Sequence, residues 1–169
     1  MTLQLFSIIV DIISSVAVFA AIIFGISQIR QFRQQRRDMA AIELVRSVQD
    51  SEFTNGFRLI HSLPEDISAA DFKALGTDYV KYGLAVGMKY ESIGLLVFKK
   101  VIPLEIVEEL VGGVAITFWK RLSPWVESMR KEQSADFVFE WFEWLVDNLQ
   151  DRGRDVRQPA HKQYRDWEA

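Results

Sequence analysis

The sequence predicts an all-α protein, in which a single amino-terminal transmembrane helix continues into a cytoplasmic helical bundle. Three observations support this fold class. Residues 3–29 are almost uncharged, apolar residues recur at helical spacing through most of the remaining chain, and no alternating strand pattern exceeds a few residues. We divide the 169 residues into a transmembrane helix (1–29), a juxtamembrane stalk (30–50), a cytoplasmic helical domain (51–150) and a polar tail (151–169).

The predicted span is long enough to cross a bilayer. Residues 3–29 carry a single charged side chain, Asp11, and at about 1.5 Å per residue they form roughly 40 Å of helix. A cleaved signal peptide is the alternative, because Val18, Phe19 and Ala20 resemble a cleavage site. The absence of a basic segment before the apolar run, and its continuation for nine residues beyond Ala20, favour a retained helix.

The flanking charges predict the orientation. Arg30, Arg33, Arg36 and Arg37 follow the span directly, whereas only the amino terminus precedes it. By the positive-inside rule the carboxyl-terminal domain then lies in the cytoplasm and the helix in the inner (cytoplasmic) membrane. We interpret the four arginines as a membrane anchor; a specific site for anionic lipid is the alternative.

Polar and small residues form one stripe along the span. Six of the eight polar or glycine residues between positions 3 and 29 belong to this stripe, which comprises Gln4, Ser7, Asp11, Ser14, Val18, Ala21, Gly25 and Gln28. Such residues at membrane depth face other protein or water. The stripe therefore predicts a homo-oligomer, or a contact with another membrane protein. In the alternative interpretation several copies line a hydrated axis, where Asp11 forms a carboxylate ring that favours cations.

The stalk and the first half of the soluble domain are predicted from helical periodicity. The stalk extends to a break near Asp50, a short helix follows as far as Pro64, and residues 64–68 form a loop. A long helix then begins at Asp71 or Thr77 and ends at Phe98. Its two small residues, four positions apart, predict close packing on a neighbouring helix of the same domain; they are Gly83 and Gly87.

Glycine, proline and serine residues predict the helix boundaries in the second half of the domain. Pro103 suits the first turn of a helix, and Gly112 and Gly113 are expected to interrupt it. Ser123 and Pro124 predict a helix cap and restart, and a last helix is expected from Ser134 to about Gln150. That helix has a wide aromatic face that includes Trp141 and Trp144. We interpret it as core, with an oligomer or membrane-surface contact as the alternative.

Composition and motifs argue against most kinds of chemistry. The formal net charge is −3, the chain has no cysteine, and His61 and His161 are its only histidines. We therefore expect no nucleic-acid partner, no metal site, no cofactor and no enzymatic activity. Glu91 lies at the edge of the aromatic face, where Trp119, Arg121 or Arg130 could pair with it. We interpret Glu91 and Arg130 as structural polar residues.

The chain resembles a family of small bacterial membrane proteins known as domain of unknown function 4760. The resemblance covers about residues 30–148 and rests on residues 90–94, 102–103, Trp119, 122–125, Arg130 and 142–145. It implies a single-pass anchor with a helical cytoplasmic domain, and no catalytic residue, cofactor or substrate. The polar tail departs from the expected pattern of the family.

These features predict a membrane-anchored, homo-oligomeric helical interaction or scaffold protein, bound to membrane lipid and without an active site. An oligomeric ion-conducting or ion-sensing assembly is the alternative, since the same stripe could line water. The polar tail is expected to be mobile unless it docks on a partner, through Tyr164 or Trp167.

Overall fold

The computed structural model describes residues 2–153 and 158–166, with side chains described from residue 16 onward. All regular elements of this part of the chain are helical, which confirms the all-α fold class. In chain order they are α1 (Thr2–Val48), α2 (Ser51–His61), α3 (Ala69–Ala74), α4 (Thr77–Phe98), α5 (Leu104–Val107), a π turn (Glu108–Gly112), α6 (Gly113–Gln133), α7 (Glu140–Asp151) and α8 (Ala160–Gln163).

The chain divides into two units, Met1–Met39 and Ala40–Ala169. Within the described residues, the segment Val16–Val48 of α1 is long and apolar enough to cross a membrane. In the first unit its large apolar side chains are exposed, as Phe19, Ile23 and Phe24 illustrate. Among the described side chains of this unit, from residue 16 onward, none is buried.

The second unit begins with the last turns of α1 and the break predicted near Asp50. Oδ1 of Asp50 accepts a hydrogen bond of 3.1 Å from the backbone N–H of Glu52, so Asp50 is the N-cap of α2. Leu44 of α1 and Ile60 of α2 are both buried in the domain core. The predicted break near Asp50 and the start of the next helix are therefore confirmed.

Helix α4 lies at the centre of the domain and packs mainly against α2 and α7. Tyr90, on its buried face, stacks on Phe142 of α7 at a ring-centroid distance of 4.7 Å and meets Phe118 of α6 edge-on at 6.2 Å. The ring of Phe139 lies directly over Gly87, where any side chain larger than hydrogen would overlap it. This close approach confirms that the glycine pair packs within the domain.

The predicted interruption at Gly112 and Gly113 is wrong. The π turn joins α5 to α6, so the helical run continues through both glycines. Val111 and Ala115 are buried on either side of the pair. Their burial outweighs the roughly 1 kcal/mol that a glycine costs inside a helix.

The predicted restart at Ser123 and Pro124 is also wrong, because Pro124 lies inside the continuous helix α6. Trp125 is 2% exposed next to it. Burial on that side of the helix outweighs the one backbone hydrogen bond that proline cannot donate.

The last helix begins later than expected. Ser134 adopts a left-handed conformation with φ of 50° and ends α6, and α7 starts only at Glu140. Phe139 also has a positive φ, 55°, which is unusual for a bulky residue. Its ring is buried over Gly87, and this packing holds the strained backbone in place.

Candidate functional site

An apolar groove of about 580 Å³ lies on the second unit. One wall is formed by the last turns of α1, through Ala40 and Leu44, and the other by Met88 and Leu96 of α4. Residues 101–102 and the start of α2 complete the lining. The groove therefore lies between two helices that do not pack fully against each other.

The apolar wall arises because α4 carries apolar residues on more than its buried face. Leu84, Met88, Leu95 and Leu96 are all exposed, although α4 is the central helix of the domain. Met88 projects most, with 64% of its surface exposed. An exposed apolar surface beside a groove is typical of a site that contacts another molecule.

The polar atoms of the groove are largely occupied within their own helices. The hydroxyl of Ser47 donates to the carbonyl of Leu44 at 2.9 Å, and that of Ser92 donates to the carbonyl of Met88 at 2.9 Å. Asp50 is engaged as the N-cap of α2. What the groove offers to a partner is therefore mainly apolar contact.

Charged residues line the rim of the groove. Glu43 lies 3.8 Å from Arg46, and Glu52 lies 3.8 Å from Lys81. Lys89 is half-buried in the lining and shows no ion pair among the described residues. The rim thus carries carboxylates on the α1–α2 side and an ammonium group on the α4 side.

A second, shallower groove of about 380 Å³ flanks the opposite side of the same α1 turns. It is lined by Ile42 and Val45 of α1 and by Ile106 and Leu110 from the α5 and π-turn region. Ile42 and Leu110 are exposed. The end of α1 in this unit therefore has apolar space on both sides.

Glu91 fastens α4 to the start of α7. Its Oε2 accepts a hydrogen bond of 2.9 Å from the backbone N–H of Phe142. Desolvation by burial raises the pKa of Glu91, while hydrogen bonds from the backbone of Phe142 and Trp141 oppose this rise. A carboxylate at this position also complements the positive end of the helix dipole.

The three residues expected to pair with Glu91 have other contacts. The ring of Trp119 meets that of Phe142 at a centroid distance of 4.9 Å. Nε of Arg121 donates to the carbonyl of Leu63 at 2.6 Å. Nη1 of Arg130 contacts Oε2 of Glu143 at 2.7 Å, and its Nε donates to the carbonyl of Val138 at 2.9 Å. Arg130 thereby holds the turn between α6 and α7, in a pocket that leaves its side chain only 16% exposed.

Trp141 and Trp144 lie with Phe98 in one half-buried aromatic cluster. The ring centroids of Phe98 and Trp141 are 4.5 Å apart, and those of Phe98 and Trp144 are 5.7 Å apart. Trp144 packs against the core, whereas Phe98 remains 47% exposed. The fully buried side of α7 is formed by other residues, namely Phe142, Leu145, Val146 and Leu149.

The predicted polar stripe of α1 is described only in part. The side chains of Gln4, Ser7, Asp11 and Ser14 lie outside the described residues. Ala21 and Gln28 are exposed, and a Cβ added at Gly25 would meet nothing within 4 Å. Arg30, Arg33, Arg36 and Arg37 are also exposed on the first unit. Trp167 of the tail lies outside the described residues as well, while Tyr164 is half exposed.

Sequence reasoning missed the groove, and it named Arg121 without predicting its burial or its bond to the carbonyl of Leu63. The signal for the groove was the set of apolar residues on α4 outside its main apolar face, such as Met88 and Leu96. Among the described residues, no group of three or more His, Cys, Asp or Glu side chains could hold a metal ion.

The comparisons with known proteins point to a family but not to an activity. No curated protein and no solved structure matches the chain. A family model described as a domain of unknown function, DUF4760, matches residues 15–149, which include the last part of the apolar helix and most of the helical domain. The chain therefore belongs to the DUF4760 family.

Proposed function

We propose that the protein is a membrane-anchored, homo-oligomeric interaction module that acts as a scaffold without an active site of its own. One observation carries this proposal. A helix of membrane-spanning length and composition leads into a domain that carries an apolar groove of about 580 Å³. The alternative partner is another membrane protein.

The membrane part of the proposal rests on the first unit. From residue 16 onward, the large apolar side chains of α1 are exposed in this unit, among them Val16, Ile22 and Ile26. Water would solvate such a helix poorly, whereas lipid acyl chains suit it. The four arginines after the span favour an orientation with the domain in the cytoplasm and α1 in the inner membrane.

The self-association part rests on the second unit. A second copy is the simplest occupant of the groove because the rim carries both signs of charge. In a two-fold arrangement each surface contacts its own equivalent, so Glu43 of one copy can approach Lys89 of the other. The stripe of Ala21, Gly25 and Gln28 gives the anchor helices a compatible packing face.

Extraction and light scattering test the two parts separately. Alkaline carbonate should leave the protein in the membrane pellet, and release into the supernatant would refute the membrane anchor. In mild detergent at micromolar concentration, multi-angle light scattering should give a protein mass of at least two chains of 19.5 kDa. A single-chain mass would refute the homo-oligomer.

The alternative function, an ion-conducting or ion-sensing assembly, rests on the polar stripe alone. Cysteine variants separate it from simple packing, because the chain has no native cysteine. Packing predicts that Ala21→Cys crosslinks between chains and that the lipid-facing control Ile23→Cys does not. A hydrated axis predicts ready labelling of Ala21→Cys by water-soluble thiol reagents. Bilayer recordings that stay silent across voltage, pH and ions would reject conduction.

A further inference from the structure

We propose that the four arginines after the span form a binding face for the phosphate groups of anionic phospholipids. This arginine face comprises Arg30, Arg33, Arg36 and Arg37. The inference rests on the proposed membrane anchor and goes beyond it. An orienting anchor needs only positive charge, whereas a binding face also requires a particular arrangement of guanidinium groups.

The arginines are segregated on α1. At about 100° per residue, the four side chains fall within an arc of about 120°. The opposite arc carries uncharged amides and one carboxylate, from Gln28, Gln31, Gln34, Gln35 and Asp38. Positive charge is therefore concentrated on one side of the helix and is not distributed around it.

The carboxylate within this segment does not neutralise the arginine face. Oδ1 of Asp38 accepts a hydrogen bond of 3.0 Å from Gln34 on the opposite side of the helix. Within the described residues the four arginines show no ion pair, whereas Arg130 and Arg152 contact carboxylates at 2.7 and 3.1 Å. The arginine face thus retains its full charge for an external anion.

An apolar residue borders the arginine face. The guanidinium carbon of Arg36 lies 4.5 Å from the ring centroid of Phe32, which is itself 55% exposed. The guanidinium group can donate two parallel hydrogen bonds to one phosphate, and the neighbouring ring can contact the glycerol and upper acyl chain. This combination of charge and apolar surface matches a phospholipid better than it matches free phosphate.

The helix face predicted to pack against another chain borders the arginine face on the side of Arg36. By the same helical geometry, Gly25 lies about 20° around the helix from Arg36, and Ala21 and Gln28 lie about 60° and 80° from it. A neighbouring chain on that side would leave the other three arginines toward lipid. Self-association and lipid binding are therefore compatible on one helix.

Native mass spectrometry of the purified full-length protein tests this inference. The protein in detergent is offered an equimolar mixture of phosphatidylglycerol and phosphatidylcholine, and bound lipids are counted on each oligomeric species. We expect a preference of about tenfold for phosphatidylglycerol. The variant with all four arginines changed to glutamine should lose the preference. Its control, Gln31→Ala/Gln34→Ala/Gln35→Ala, should keep it.

A lysine variant separates guanidinium recognition from charge alone. Changing all four arginines to lysine preserves the charge that orients the helix, and we expect it to reduce the preference several-fold. An undiminished preference in this variant would overturn recognition by guanidinium groups. Equal binding of the two lipids by the natural protein would overturn the inference entirely.

Two further outcomes distinguish lipid binding from general anion binding and from the membrane anchor itself. Excess inorganic phosphate should not displace phosphatidylglycerol, and complete displacement would show a general anion site in place of a lipid site. Release of the protein by alkaline carbonate would refute the membrane anchor itself. A membrane-embedded protein without lipid preference would refute only the binding of anionic lipid by the arginine face.

Discussion

Helix α4 forms a closed contact on one side and an open groove on the other. Toward α7, Gly94 lets the backbone of Trp141 approach closely, and Glu91 accepts the N–H of Phe142. Toward α1, the described residues show no hydrogen bond across the groove, and Met88 remains exposed. Close packing with a polar bond between helices thus marks the internal contact, and both are absent at the groove that we propose as the interface.

The largest expected effect is at the closed contact. Gly94→Ala should lower the free energy of unfolding by roughly 3 kcal/mol, because the new Cβ would overlap the carbonyl of Trp141 and backbone atoms cannot move aside easily. Chemical unfolding followed by tryptophan fluorescence measures this. All five tryptophans lie at or beyond residue 119, so the signal reports the helical domain.

Gly113→Ala is the matched control. A Cβ at Gly113 would meet nothing within 4 Å, and the residue begins α6. Higher helix propensity should then leave the stability unchanged or raise it by about 0.5–1 kcal/mol. Equal losses in the two glycine variants would show that the contact with Trp141 is not the cause.

Removal of the polar bond should have the next largest effect. Glu91→Ala leaves the N–H of Phe142 without its acceptor and should cost about 2 kcal/mol. Glu91→Gln retains an acceptor oxygen and should lose less. A loss in Glu91→Gln as large as that in Glu91→Ala would mean that the charge of Glu91 carries the contact.

The same residue predicts a pH dependence. Burial raises the pKa of Glu91 above its ordinary value, so the folded state holds this proton more tightly than the unfolded state. The stabilisation that comes from this bound proton is then fully present below the ordinary glutamate pKa and is lost as the pH rises through the raised value, whereas the hydrogen bond from Phe142 remains. The natural protein should therefore lose stability relative to Glu91→Gln as the pH rises from the ordinary glutamate pKa through the raised value. A difference that is constant with pH would contradict the raised pKa.

A substitution on the groove side of α4 should affect self-association and not the stability of the domain. Met88→Glu should leave the domain folded and weaken self-association about tenfold, because it places a carboxylate in the apolar groove. Leu84→Glu is the control, since Leu84 is exposed on the same helix but does not line the groove. Sedimentation over a concentration series measures the self-association affinity of each variant. Equal weakening by the two variants would place the interface elsewhere.

The smallest effect is expected at Tyr90. Its hydroxyl is buried with no hydrogen-bond partner in the described structure, and burial raises the pKa of this phenol above its ordinary value. Tyr90→Phe should therefore raise the unfolding free energy by about 0.5–1 kcal/mol. A loss of more than 1 kcal/mol would indicate that the hydroxyl does make a bond.

The sequence predicted the helices wherever a local signal and burial agreed. Asp50 provided both a cap and a break, and the spacing of apolar residues predicted α4 to its last residue, Phe98. Pro124 and Ser134 misled the prediction, because local signals for a helix start were outweighed by packing of residues distant in sequence. Helix propensity acts locally, whereas burial depends on the whole fold.

The candidate site was harder to predict than the fold. Glu91 was identified as a polar residue at an aromatic boundary, but its backbone partner could not be read from side-chain types. The groove depends on which faces of α1 and α4 fail to meet, and this is a property of the packed domain. Met88 could be recognised as an exposed groove residue only once the packing of α1 and α4 was known.

Crosslinking at the groove in native membranes tests the central claim most directly. Met88→Cys and Leu84→Cys each introduce the single cysteine of the chain. A short bifunctional thiol reagent should join two copies through Met88→Cys and leave Leu84→Cys as separate chains. Failure to crosslink at Met88→Cys, or equal crosslinking at both positions, would contradict a scaffold that self-associates through the α4 groove.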